Sequence, residues 1–69
     1  MRTKTQLIYQ IKEVLGCEVI KTKDNLVTIK CPDDNTQYML DLNLKKLGIY
    51  KIKKIFDNIY QYNFNRLIY

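Results

Sequence analysis

The size of the core that 69 residues can enclose constrains this chain more than any other feature. A domain of that length buries only ~60% of the surface its unfolded chain exposes, so every apolar stripe must find cover inside one small unit. Residues 1–69 are therefore read as a single domain. With 46% apolar and 28% charged residues the chain can pay for the ordering of its backbone, and a disordered polymer is excluded. No apolar stretch in Met1–Gln10 is longer than Leu7-Ile8-Tyr9, and no segment has the roughly 20 apolar residues of a membrane span. A cytoplasmic location and no membrane partner are expected.

Thr3–Leu15 has a helical period, with Leu7, Ile8, Ile11, Val14 and Leu15 on one stripe and Gln6, Tyr9, Gln10 and Glu13 facing away. Thr3 and Gln6 have capping-box spacing, and Gly16 stands where a left-handed residue closes a helix. Cys17–Lys23 and Leu26–Cys31 read as a hairpin around Asp24-Asn25. In the expected register Ile20 faces Ile29 and Thr22 faces Val27 on the core side, with Lys21, Lys23, Thr28 and Lys30 on the other. Pro32–Thr36 reads as a loop, and Tyr38, Leu40 and Leu42 alternate with Gln37, Met39 and Asp41 as a third strand.

Ile49, Ile52, Ile55, Phe56, Ile59 and Tyr60 fit one face of a second helix that starts between Asn43 and Ile49, with Gly48 weakening its first turn. Residues 63–69 carry four large apolar side chains without a period. They either fold back or offer themselves to another chain, a homodimer partner included. The expected fold is α+β, a three-stranded antiparallel sheet with two helices packed on one face, order α-β-β-β-α, with no internal repeat.

Little here can do chemistry. There is no His, and the two Gly form no phosphate loop. Cys17 and Cys31 lack metal or CxxC spacing and are expected reduced, with a hairpin disulfide as the alternative. Asp33-Asp34-Asn35 lacks the spaced ligands of an EF-hand loop. No catalytic, cofactor or metal site is expected, and a non-enzymatic binding protein is the default.

The net charge of +5 supplies the surface. Lys45, Lys46, Lys51, Lys53 and Lys54 fall between Asp41 and Asp57 without an intervening acid, and Lys21, Lys23 and Lys30 add to them. Solvated faces that keep a small domain soluble account for such lysines equally well. With Arg only at positions 2 and 66, base-specific DNA reading is disfavoured. Tyr9, Tyr50, Tyr62 and Tyr69 are interface candidates, whereas Tyr38 and Tyr60 are assigned to the core.

The α-β-β-β-α order, with Lys45-Lys46 opening its last helix, resembles the double-stranded-RNA-binding domain, although the Gly-Pro-x-His loop is replaced by Asp24-Asn25. Residues 6–12, 34–40 and 52–61 resemble small phage anti-CRISPR proteins. That resemblance implies a phage or mobile-element inhibitor that occludes an RNA-guided nuclease in a bacterial host cell, with a CRISPR effector protein or its guide RNA as partner. A nucleic-acid-binding module that grips duplex RNA or DNA backbone with the same lysines is the alternative.

Overall fold

The computed structural model describes residues 4–64 and has the order α1 (Lys4–Glu13), β1 (Glu18–Lys23), β2 (Leu26–Lys30), α2 (Asp34–Lys46), β3 (Lys51–Phe56), β4 (Ile59–Asn63). The α+β class holds, but the sheet has four antiparallel strands in the order β1-β2-β4-β3 and the element order is α-β-β-α-β-β. Both helices contribute to one core, where Leu7 and Ile11 of α1 and Leu40 and Leu44 of α2 meet Val27, Ile29 and Tyr62 of the central strands. Cys17, Cys31, Ile49 and Phe64 complete that core. Among the described residues no helix is long and apolar enough to cross a membrane.

Helix α1 and the first hairpin stand where the sequence puts them. Gly16 adopts φ +71°, and the Cys17 amide donates to the Ile11 carbonyl. Within the stripe, Leu7 and Ile11 are buried, whereas Val14, whose amide still donates to the Gln10 carbonyl, is exposed and lines an open groove with Leu7, Ile11, Leu40 and Leu44. In the hairpin Thr22 pairs with Val27 as expected, but Val19, not Ile20, pairs with Ile29. A bulge at Ile20 takes up the extra residue and leaves that side chain exposed.

The second half differs from expectation. Residues 34–46, read in part as a third strand, form α2 because both ends are specified locally. The Asp33 carboxylate accepts from the Thr36 amide at 2.7 Å as the N-cap, and this bonding holds its pKa below the usual carboxylate value. At the other end Gly48 takes φ +80°, its amide donates to Lys45, and the Ile49 amide donates to Leu44. This is the Schellman arrangement, so Gly48 terminates a helix instead of weakening one. Tyr38, assigned to the core, lies on the outer side of α2 and is exposed.

The expected second helix is the β3–β4 hairpin. Asp57-Asn58 turns it at the place where Asp24-Asn25 turns the first, with the left-handed residue second in the pair here (Asn58, φ 60°) and first there (Asp24, φ 54°). Short polar side chains tolerate this left-handed conformation, which β-branched residues resist. The Ile-rich run beside it belongs to strands.

The chain is a repeated αββ unit, contrary to the expectation of no repeat. At one constant spacing Leu7 and Ile11 recur as Leu40 and Leu44, and Asp24-Asn25 as Asp57-Asn58. The central strands β2 and β4 pair antiparallel with Thr28 opposite Gln61 at the midpoint. The two units are thus related by a pseudo-two-fold axis that passes between Thr28 and Gln61.

Candidate nucleic-acid interface

Strand alternation divides the sheet into a covered face and an open one. In β2, Val27 and Ile29 point into the core, which leaves Leu26, Thr28 and Lys30 on the other side. The register then builds a row on the open face: Lys21 opposite Thr28, Thr28 opposite Gln61, and Gln61 opposite Lys53. Lys30 lies in a row with Glu18, Ile59 and Phe56, and Lys23 in one with Leu26 and Asn63.

Lys21, Lys23, Lys30 and Lys53 therefore share the open face, with the exposed Phe56 ring at its corner. Glu18 is the acid on the same rows. Lys21 and Lys53 stand on the two edge strands, each one strand out from the Thr28–Gln61 pair, with three inter-strand steps or about 14 Å between their backbones; the repeat spacing matches Lys21 to Lys54, and the second register shift of β3, between Lys54 and Phe56, is what brings Lys53 into this row. Between them lie Thr28, which is buried, and Gln61, which is half-buried, so the two ammonium groups are what the row exposes most.

The remaining candidates lie elsewhere. Lys51 is on the helix side, where its Nζ is 2.9 Å from Asp41 Oδ2 and 4.4 Å from the Tyr60 ring centroid. Lys54 pairs with Asp57 at 3.4 Å. Lys45 and Lys46 occupy the last turn of α2, where their charge complements the carbonyl end of the helix. Lys45, Tyr50 and Lys51 line a shallow cleft with Ile49. The sequence thus groups eight lysines that the fold distributes over two sides.

Tyr62 is a core residue, 1% exposed, and leaves the list of contact residues. Its hydroxyl donates to Asp41 Oδ1 at 2.7 Å and accepts from Gln37 Nε2 at 2.7 Å, while Gln37 Nε2 also donates to Asp41 Oδ1 at 2.8 Å. Burial, with the Asp41 carboxylate beside it, pushes the phenol well above its ordinary pKa. Sequence reasoning missed Gln37 and Asp41 because it placed them on a strand; on α2 they are one turn apart and meet one partner. Their role is to fasten α2 to β4 and β3.

Tyr9 and Tyr50 are exposed as expected, on the helix side and at the foot of β3. Tyr69 and the tail beyond Phe64 lie outside the described residues. Residues 6–12 lie in α1 as expected, but the other element assignments behind the two resemblances do not hold: residues 34–40 enter a helix, 52–61 form a hairpin, and Lys45-Lys46 end a helix that they were expected to open. No family model matches the chain, and no curated protein or solved structure matches it either.

Proposed function

We propose that this chain is a non-enzymatic module that binds duplex nucleic acid through the open sheet face. The observation that carries the reading is the pseudo-symmetric row Lys21-Thr28-Gln61-Lys53. Any duplex has local two-fold axes relating its antiparallel backbones, and a face with cations one strand out on either side of its own axis meets both strands alike. A backbone separation of about 14 Å, with flexible ammonium arms at each end, matches a groove about 12 Å wide. Lysines in place of arginines suit backbone contact without base reading.

Fluorescence anisotropy against a labelled duplex, and against either of its strands alone, tests the proposal across a salt series. Four lysine–phosphate contacts predict that log affinity falls against log salt with a slope of about −3.6, and Lys21→Gln or Lys53→Gln should each reduce it by about 0.9. Unchanged slopes in both variants would refute the assigned face. Equal affinity for duplex and single strand would remove the groove-spanning element.

A second reading has its own observation. On the helix side Tyr9, Tyr38, Met39 and Leu42 are exposed, with Tyr50 nearby, at between 41% and 66%. Aromatic and Met side chains of this kind are enriched in protein interfaces. A stoichiometric inhibitor of an RNA-guided nuclease would use this side on the effector protein and the basic face on its guide RNA. Capture from a bacterial lysate expressing such effectors, with and without nuclease, separates the readings: effector retained after nuclease treatment supports the inhibitor, and nucleic acid alone supports the module.

A further inference from the structure

Cys17 and Cys31 are free thiols buried side by side in the core, with their Sγ atoms 3.4 Å apart. Their positions follow from the ladder. Glu18 pairs with Lys30, and one step outward along the same antiparallel register Cys17 faces Cys31 at the open end of the first hairpin. Directly opposed residues of an antiparallel pair have Cα atoms about 4.5–5.5 Å apart, inside the range of about 4.4–6.8 Å that a disulfide spans. Neither thiol needs its backbone moved far for the sulfurs to bond. The Cys31 amide donates to the Asn58 carbonyl at 2.8 Å and the Cys17 amide to Ile11 at 3.2 Å, so both backbones are held in place.

We infer that Cys17 and Cys31 form a modification site: a dithiol that converts reversibly to an intramolecular disulfide by exchange with a low-molecular-weight disulfide of the oxidised-glutathione class. In the first step one protein thiolate attacks a sulfur of the oxidant and expels one small thiolate, giving a mixed disulfide. In the second step the other protein thiolate attacks the protein sulfur of that bond and expels the second small thiolate. The two protein sulfurs lose two electrons, the oxidant gains them, and the two protons from Cys17 and Cys31 leave on the released small thiols.

Burial pushes both thiols above their ordinary pKa, so little thiolate is present at neutral pH and the reduced pair is long-lived. This separates the site from a catalytic dithiol, whose attacking thiol is exposed and acidified. The loop closed by the bond contains β1, its turn and β2, and so carries Lys21, Lys23 and Lys30. Oxidation ties the open end of the hairpin that presents three of the four open-face lysines.

The test uses the full chain, reduced, desalted and incubated at about pH 8.5, near the ordinary thiol pKa, with excess oxidised glutathione. It is then acid-quenched, denatured and alkylated. The expected product is a monomer lighter by two hydrogens, with no alkylated thiol, no retained glutathione and a mapped Cys17–Cys31 link. Its thermal midpoint should rise by about 10–20 °C, as closure of a 15-residue loop implies, and return on reduction. Two alkylated thiols after prolonged incubation, a persistent glutathione adduct, or a cross-linked dimer as the main product would overturn the inference. In Cys17→Ser and Cys31→Ser the midpoint should ignore the oxidant, and a rise in either would overturn it too.

Discussion

Replacing Asp41 with Ala deletes the acceptor shared by Tyr62, Gln37 and Lys51, and the cost can be worked from the geometry. The Tyr62 and Gln37 bonds, at 2.7 and 2.8 Å, end on a carboxylate whose side chain is 25% exposed. Hydrogen bonds to charged groups contribute about 1.5–3 kcal/mol, and partial solvation puts each of these near the lower end. The Lys51 pair, 39% exposed on the cation side, adds at most about 1 kcal/mol. Asp41→Ala should thus cost about 3 kcal/mol, against a total stability of about 3–10 kcal/mol for a chain of this size.

Tyr62→Phe should cost about 2 kcal/mol, about 1.5 for the bond to the carboxylate and about 0.5 for the one accepted from Gln37. The double variant should cost only about 0.5 kcal/mol more than Asp41→Ala alone, a coupling of about 1.5 kcal/mol, because the phenol–carboxylate bond is already lost and only the Gln37–phenol bond remains to lose. Urea unfolding followed by circular dichroism measures all three. Additivity within about 0.5 kcal/mol would refute the network, since it would mean that the phenol and the carboxylate stabilise the fold independently. Tyr62→Phe should also leave duplex affinity unchanged, because the hydroxyl is on the covered side of the sheet.

Other expectations follow from the same structure. Asn58→Val should destabilise by about 1–2 kcal/mol and Asn58→Gly by only a few tenths, because φ 60° excludes a β-branched residue and suits glycine; denaturant midpoints decide it. Asp33→Ala should lower the thermal midpoint by several degrees at neutral pH. Its folded pKa is depressed, so the cap's contribution is present above the unfolded carboxylate value and lost as acid protonates it; the wild-type and variant midpoints should converge at low pH. The buried thiols and Tyr62 have raised folded pKa values, so their contribution is full below the ordinary values of 9.0 and 10.0 and is lost as pH rises past them, the unfolded chain ionising first. Unfolding free energies measured between neutral pH and strong alkali should fall in that order, and Tyr62→Phe should flatten the later part.

The first unit was legible because its signals agree: an apolar stripe, Gly16 at the helix end, and Asp24-Asn25 between two β-branched runs. In the second unit two periods compete. Tyr38, Leu40 and Leu42 alternate as a strand would, yet Gln37, Leu40 and Leu44 form the helical stripe that is buried. The alternation was coincidental, because Tyr38 and Leu42 are exposed on α2. Ile49, Ile52, Ile55 and Ile59 likewise fit a helix by spacing, while the Asp57-Asn58 pair between them marks the hairpin. Matching that pair to Asp24-Asn25, and Leu40 and Leu44 to Leu7 and Ile11, would have exposed the repeat and with it the correct order of elements. The open-face lysines Lys21, Lys23 and Lys30 were legible from the first hairpin; Lys53 joined them only through the register of β3. No local pattern indicated the partnership of Asp41, Gln37 and Tyr62, which depends on how α2 crosses the sheet.

Strand β3 has one side unpaired, and all six of its residues are exposed, among them Ile52, Ile55 and Phe56. Such a margin is a template onto which further chains could add and grow into fibrils. Two features work against this. The register is interrupted between Lys51 and Lys53 and again between Lys54 and Phe56, so the margin is not a regular template, and a second copy laid alongside would bring ammonium groups against ammonium groups. The same lysine-rich segment that colours the surface of this small domain therefore protects it from polymerising with itself, and charge removal there would be felt first as lost solubility at high concentration.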